Sequence, residues 1–165
     1  MKKCRKVSHY RYDNSFLADV LKQYPQYFQG VCCVDPLDAA ALIERLPNLT
    51  VVIDHMADCP IDQPDELEKL IALRRYPKVF VKISHTWSIS RQPYPWLDAQ
   101  EYVKRLYDAF GPQRLMWDTD WPVSEGRTTY ARTLSVVRDE MKFLNDEDKR
   151  WILSQTIERV WPFPA

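Results

Sequence analysis

Two kinds of segment alternate along this chain, namely short apolar runs rich in β-branched residues and longer stretches with helical spacing. The strand-like runs are residues 28–34, 50–54, 79–83 and 114–118. Helical spacing, with capping or breaking residues at the ends, predicts helices over residues 16–23, 38–46, 64–75, 97–110, 129–143 and 146–156. Strands that alternate with helices are typical of parallel βαβ units, as in doubly wound sheets and β/α barrels, so the pattern predicts an α/β fold.

Polar residues follow these strands, at the edge where both architectures bind ligands. Asp54 is the last residue of the run at 50–54, and His55 follows it directly. An imidazole at this position can act as a base, a proton donor or a metal ligand. A histidine that only satisfies its neighbours' hydrogen bonds fits His55 equally well. Asp118 and Asp120 follow the last run, and a carboxylate there is costly unless it is paired or binds a metal.

Asp118 and Asp120 would lie on one side of the chain if the extended conformation continued through Thr119. The alternative is a turn in which the aspartates cap backbone N–H groups. His85 follows the run at 79–83 and is the second candidate histidine, with a rim or surface position equally consistent. Lys82, inside that run, is expected to snorkel to solvent or to pair with a carboxylate, with a catalytic role as the less favoured alternative.

The amino-acid composition and the absence of several motifs exclude a number of protein classes. Lys and Arg number 23 and so do Asp and Glu, which gives no electrostatic case for binding nucleic acid or an acidic membrane. Three glycines form no phosphate-binding loop, and the chain has no G-x-S-x-G, H-E-x-x-H or C-x-x-C motif. No apolar run spans a bilayer and no secretory signal is present, so we expect a cytoplasmic protein whose four cysteines are buried free thiols.

Three sequence blocks together resemble a known family. They are VIDHMADCP at 52–60, YPKVFVKIS at 76–84 and FGPQRLMWDTDWPV at 110–123, and residues 12–36 look like the region around that family's second strand. The chain is therefore similar to the amidohydrolase superfamily, in its branch of amidohydrolase-related metal-dependent hydrolases of the TIM-barrel fold. That branch includes lactonases acting on sugar lactones and pyrone dicarboxylates, and some decarboxylases.

The resemblance implies a site for a small-molecule substrate and a divalent metal, with zinc the first choice. Asp120 matches the aspartate at the end of the family's last strand, which binds the metal or takes a proton from the attacking water. His55 matches a histidine that contacts the substrate, acts as a base or helps to bind the metal. His85 and Asp118 stand where the family commonly has glycine, and with Trp121 they are the expected substrate-binding residues. The implied reaction is attack of water on a lactone or another carboxylic ester or amide-type bond.

The chain departs from the family in what it lacks. Its three histidines, at 9, 55 and 85, form no His-x-His pair, and a fifth-strand metal histidine is missing. A closed barrel takes about 200–250 residues, whereas this chain has 165 and about four strands. We therefore expect an incomplete (β/α) TIM-type barrel, a single partial domain over 1–165 with a basic leader at 1–12. An internal block is expected to be missing, with the join near 37–41, as in the product of a disrupted gene.

Three further expectations follow from an incomplete barrel. Exposed edges of a parallel sheet favour a homodimer that covers them. With one aspartate and one histidine, a zinc site falls short of three protein ligands, so a non-catalytic remnant without a metal site is the alternative to a hydrolase. An unrelated α/β binding module is the third possibility, because four βα units support many functions.

Overall fold

The computed structural model describes residues 2–5, 13–31 and 36–162, which fall into two units, Met1–Pro47 and Asn48–Ala165. In the first unit, strand β1 (Lys2–Arg5) pairs in parallel with strand β2 (Phe28–Val31). Helix α1 (Ser15–Gln23) lies between them in sequence, and helix α2 (Pro36–Arg45) follows β2. This unit is a parallel β-α-β arrangement followed by a second helix.

Strand β1 is an element that the sequence analysis did not predict, since it lies in the segment assigned to a basic leader. Helix α1 agrees closely with the prediction and ends before Pro25, where the sequence placed its end. Helix α2 includes residues 37–41, the expected position of the join. His9, Cys32 and Cys33 lie outside the described residues.

The second unit contains a parallel sheet of three strands, β3 (Val51–Ile53), β4 (Val79–Lys82) and β5 (Leu115–Met116), in that order. Val52 lies opposite Phe80 across the first strand pair, and Lys82 lies opposite Met116 across the second. The parallel pairing confirms the predicted α/β fold of a partial TIM-type barrel. All three strands therefore run in the same direction and deliver the residues after them to the same edge of the sheet.

Six helices belong to the second unit: α3 (Pro64–Ala72), α4 (Thr86–Ile89), α5 (Leu97–Phe110), α6 (Tyr130–Ser135), α7 (Asp146–Arg150) and α8 (Thr156–Val160). Short 3-10 turns cover Asp54–Asp58, Leu73–Arg75 and Pro112–Arg114, and π-helical turns cover Val136–Glu140 and Trp151–Gln155. Helix α5 has the predicted bounds, whereas the two predicted C-terminal helices are interrupted by the π-helical turns. The short helix α4 was not predicted. No helix in the described part of the chain is long and apolar enough to cross a bilayer.

Local sequence explains several of these boundaries. Helix α3 begins with a proline and has Asp65 and Glu66 in its first turn, where the helix dipole favours negative charge. Helix α5 ends at Gly111, whose φ of +72° suits glycine better than any other residue. Asn145 caps α7 and forms a capping box with Asp148, which satisfies free N–H groups at the start of that helix.

The core of the second unit consists of apolar side chains from its strands and helices. Leu67 on α3, Val81 on β4, Leu106 on α5 and Leu115 on β5 are all fully buried. Burying one such side chain contributes about 1.5–3 kcal/mol. This core fixes the three strands, and hence the positions of the polar residues that follow them.

Candidate metal centre

The residues after β3, β4 and β5 meet in one cluster of two histidines and an aspartate. The Nε2 atom of His55 lies 3.3 Å from Oδ1 of Asp120, and Nε2 of His85 contacts Oδ2 of the same carboxylate. One ligand atom from each of the three residues lies within 4.8 Å of the other two. The structure therefore brings together His55 and Asp120, the predicted catalytic pair, and adds His85, which the sequence assigned to substrate binding.

His55 is buried and has one polar atom without a hydrogen-bond partner. Its side chain is held at Nδ1, 2.7 Å from the hydroxyl of Ser84, which is buried as well. That hydroxyl can accept a hydrogen bond from Nδ1–H, which leaves the lone pair on Nε2. Nε2 forms no hydrogen bond with any described residue. It is unusual for a buried nitrogen to face a carboxylate without forming a hydrogen bond. A metal ion at this site would bind this Nε2 atom.

The backbone at this cluster has an uncommon conformation. Seven non-glycine residues in the described ranges have positive φ, and four of them are His55, Asp58, His85 and Asp120, with φ between 49° and 64°. Residues 55–58 form a left-handed turn directly after β3. A left-handed residue costs roughly 1–2 kcal/mol unless it is glycine. Such strain is typical of functional sites, because surrounding structure must hold it in place.

Asp58 belongs to this cluster, although the sequence analysis did not single it out. Its Oδ1 lies 2.8 Å from Nδ1 of His85, so that His85 is held by Asp58 on one side and by Asp120 on the other. Burial alone would lower the pKa of His85, but the hydrogen bonds with the two carboxylates outweigh it and raise that pKa. The hydrogen bond with His85 in turn lowers the pKa of Asp58.

The pKa values of the two histidines are shifted in opposite directions. Burial lowers the pKa of His55, and the charge of His85 lowers it further, against the raising effects of Asp54 and Asp120. The site thus favours the neutral form of His55 and, next to it, the protonated form of His85. Opposite shifts in neighbouring groups are the pattern by which enzymes separate a base from an acid.

Lys82 forms a second cluster beside the first. Its Nζ lies 2.8 Å from Oδ1 of Asp54 and 2.9 Å from Oδ2 of Asp118. Burial would lower the pKa of Lys82, but the hydrogen bonds with these two carboxylates raise it. Burial would raise the pKa of Asp118, but the hydrogen bond from Lys82 lowers it. The pairing of Lys82 with a carboxylate, one of its predicted roles, is therefore confirmed.

The two aspartates after β5 point to different partners. Strand β5 ends at Met116 and Asp120 has a φ of 51°, so the backbone is not extended at Asp120, and the common side that extension would give does not result. Asp118 faces Lys82, and its Oδ1 also accepts a hydrogen bond from the N–H of Asp120 at 3.3 Å. Both predicted roles of an aspartate here, charge pairing and capping of the turn, are thus present.

Trp121, the fifth predicted site residue, lies on the surface. Its side chain is 62% exposed and its indole N–H donates to Glu125 at 2.6 Å. Contact of Trp121, Asp118 or His85 with a substrate stays a prediction.

The cluster fits a divalent metal ion. Two imidazole nitrogens and one carboxylate oxygen make three protein ligands, the number usual in catalytic zinc sites. The buried Nε2 of His55 lacks another partner, and Asp58 holds His85 by its other nitrogen, as an outer carboxylate commonly does in metal centres. The sequence predicts only one histidine and one aspartate for such a site, because it assigns His85 to substrate binding.

Curated relatives of this chain are two lactone hydrolases. L-fucono-1,5-lactonase of Burkholderia ambifaria is 39% identical over 88 residues, which are 51% of this chain and 30% of that enzyme. 4-Sulfomuconolactone hydrolase of Hydrogenophaga intermedia is 37% identical over 90 residues, or 51% of this chain and 29% of that enzyme. The matches thus span less than a third of the length of either relative.

Solved structures show the same fold. A zinc-bound amidohydrolase of Burkholderia multivorans superposes with a TM-score of 0.70 at 23% identity, over 92% of this chain and 58% of that one. Amidohydrolase 2 of Bifidobacterium longum subsp. infantis superposes with a TM-score of 0.66 at 22% identity, over 97% and 61%. At these identities the likeness establishes the fold.

The family model described as amidohydrolase matches residues 33–163, well over half of the chain. This range includes the whole cluster and all three strands that position it. The chain belongs to the amidohydrolase family.

Proposed function

We propose that this chain forms the metal-binding part of a hydrolase that opens lactones, with His55, His85 and Asp120 as the ligands of one divalent cation. The observation that carries the proposal is the buried Nε2 of His55, which has no hydrogen-bond partner among the described residues and lies 3.3 Å from Asp120. Both curated relatives are lactone hydrolases by name, which favours a lactone as the substrate.

A cation at this position would provide Lewis-acid activation of water and of the scissile carbonyl. In the reaction, the water oxygen bonds to the carbonyl carbon and the ring carbon–oxygen bond breaks. Asp120 takes the proton of the attacking water, because its carboxylate lies beside the two imidazoles that would hold the cation next to that water. That proton passes to the released ring oxygen, so that the product is a hydroxy acid.

The other residues of the site orient these groups. Ser84 fixes the ring of His55, and Asp58 fixes the ring of His85. The lowered pKa of His55, which follows mainly from burial, keeps its imidazole neutral at pH 7 and able to bind a cation. The left-handed backbone at His55, His85 and Asp120 turns these side chains toward one another after their strands end.

The proposal is tested by measuring bound zinc and lactone hydrolysis in the unmodified chain, in Asp120→Asn and in Asp139→Asn. Zinc is measured by plasma mass spectrometry after dialysis, and hydrolysis of aldonolactones by proton release. Asp139 is the matched control because it is half exposed and pairs with Arg138 on the surface. We expect about one ion per chain and lactone opening in the unmodified chain and in Asp139→Asn, with both lost in Asp120→Asn.

Two results would contradict the proposal in different ways. An unmodified chain that holds no zinc rejects the metal centre. A chain that retains zinc without opening any lactone rejects the hydrolase, and it supports the alternative of a non-catalytic member of the family.

A further inference from the structure

Among the described residues of the second unit, two groups of side chains have the geometry of a metal site, and they share one residue. The first is His55, His85 and Asp120, and the second is Asp54, His55 and Asp118. Nε2 of His55 lies 3.3 Å from Asp120 and 3.8 Å from Asp54, so its imidazole faces both carboxylates. Ligand geometry alone therefore does not decide which group binds an ion.

The two groups differ in the cationic side chain that already lies beside their carboxylates. In the second group, the ammonium of Lys82 is 2.8 Å from Asp54 and 2.9 Å from Asp118, and its side chain is 17% exposed. An ammonium is a compact point charge, and at these distances it neutralises the carboxylates that a metal ion would need. Among the described residues, His85 is the only group of this kind that pairs with Asp120 besides His55, and an imidazole, unlike an ammonium, becomes a metal ligand when it releases its proton.

We propose that Lys82 acts as a built-in counter-cation, whose ammonium takes the cation position between Asp54 and Asp118 and thereby directs a divalent ion to His55, His85 and Asp120. This inference rests on the proposed metal centre. Lys82 is accordingly a positioning residue, because it acts through Asp54 and Asp118. A divalent ion beside the ammonium would face repulsion between like charges in a partly buried setting, where such repulsion is poorly screened.

Placement on the strands explains how one lysine can serve this role. Lys82 is the last residue of the central strand β4, between β3 and β5. Asp54 directly follows β3 and Asp118 comes two residues after β5, so each neighbouring strand supplies one carboxylate. The lysine thus connects the carboxyl ends of all three strands.

The decisive experiment compares bound ions in Asp120→Asn and in Lys82→Met/Asp120→Asn. Methionine keeps the length of the lysine side chain and removes its charge. Asp120→Asn alone is expected to hold no ion, whereas the double variant is expected to regain about one, because the Asp54 and Asp118 position becomes available. Zinc content after dialysis gives the stoichiometry, and the absorption spectrum of bound Co²⁺ gives the ligand set. The matched control is Lys104→Met/Asp120→Asn, since Lys104 forms a surface pair with Asp108.

A folded double variant that binds no ion overturns the inference, as does regained binding in the Lys104 control. If the proposed metal centre is wrong, the result is different, because the unmodified chain then contains no zinc. In that case, Lys82→Met alone is expected to gain an ion if the inference is correct, and to stay without one if it is wrong.

A second measurement tests the inference if Lys82→Met does not fold without a metal ion. Without Lys82, the carboxylates of Asp54 and Asp118 lack their counter-charge, so a divalent ion should replace it. We expect Zn²⁺ to restore folding of Lys82→Met, seen by circular dichroism, and to raise its Tm more than that of the unmodified chain. Absence of this effect of Zn²⁺ overturns the inference.

Discussion

The rings of His55 and His85 are stacked, with their centroids 3.8 Å apart and their planes inclined by 4°. Both present Nε2 to one carboxylate, that of Asp120. Two protonated imidazoles at this distance would repel each other, which is consistent with the opposite directions of their pKa shifts. The surroundings therefore shift the pKa values of two stacked imidazoles in opposite directions, downward for His55 and upward for His85.

Substitution of Asp58 should weaken metal binding without disrupting the fold. Its carboxylate holds His85 at Nδ1 but is itself 63% exposed. Asp58→Asn should therefore raise the Kd for Zn²⁺ about 10- to 100-fold, the effect usual for the carboxylate behind a metal-binding histidine. Competition with a chromophoric chelator measures that Kd.

Asp62→Asn is the control for this change, because Asp62 is similarly exposed and pairs with Arg91 on the surface. Equal Kd values for the Asp58 and Asp62 variants would show that His85 does not depend on Asp58.

Glycine at position 57 should stabilise the protein. Ala57 is exposed and has a φ of 57°, within the left-handed turn at 55–58. Ala57→Gly removes the steric cost of that conformation, so we expect a gain of about 1 kcal/mol in the free energy of unfolding. For a chain of this size, the gain corresponds to a rise in Tm of about 2–4 °C. Thermal unfolding followed by circular dichroism measures it.

The same substitution in a helix should have the opposite sign. Ala72 is exposed at the end of α3 and has helical φ and ψ. Ala72→Gly is expected to lower the free energy of unfolding by roughly 0.5–1 kcal/mol. If both variants were destabilised, the turn at 55–58 would not have the left-handed conformation.

Asp98 should stabilise the protein at neutral pH and lose this effect in acid. Burial would raise its pKa, but hydrogen bonds from the hydroxyl of Ser90 and from the N–H groups of Arg91 and Ala99 lower it below the ordinary value of 3.8. A lowered folded pKa gives stability that is present above the unfolded pKa and is lost as pH falls through the folded one.

The free energy of unfolding of Asp98→Asn should therefore be below that of the unmodified chain at pH 7. The difference should shrink as pH falls below about 4. Urea titrations between pH 3 and 7 measure it, and Ser90→Ala, which removes one of the same hydrogen bonds, should show a smaller effect with the same trend. A difference that grows toward low pH is the opposite of this expectation.

Cys59 should be a slow nucleophile in the folded protein. It is a buried free thiol, and burial raises its pKa from 9.0 to about 11. At pH 8 this lowers the reactive thiolate fraction about a hundredfold. Alkylation by iodoacetamide, followed at the Cys59 peptide by mass spectrometry, should be slow when the chain is folded and fast in urea. Equal rates would place the thiol at the surface.

Local pattern predicted most of the second unit. β-branched runs located β3 and β4, and apolar spacing with a terminal glycine gave α5 its observed bounds. Strand β1 was missed because its residues, KKCR, are charged and lack the apolar pattern of a strand. The π-helical turn at Val136–Glu140 was missed because helical spacing does not distinguish it from an α-helix.

The sequence by itself determined which polar side chains follow the strands, because polar residues interrupt the apolar runs at these points. It thereby identified His55 and Asp120, and a lysine in an apolar strand that needs a carboxylate. The tertiary structure decided which groups share a position. Backbone turns with positive φ, which no side-chain pattern specifies, bring Asp58 and His85 to Asp120 and send Asp118 to Lys82. Contacts between residues about 30 positions apart depend on how strands pair, and the register of neighbouring strands is a property of the packed sheet.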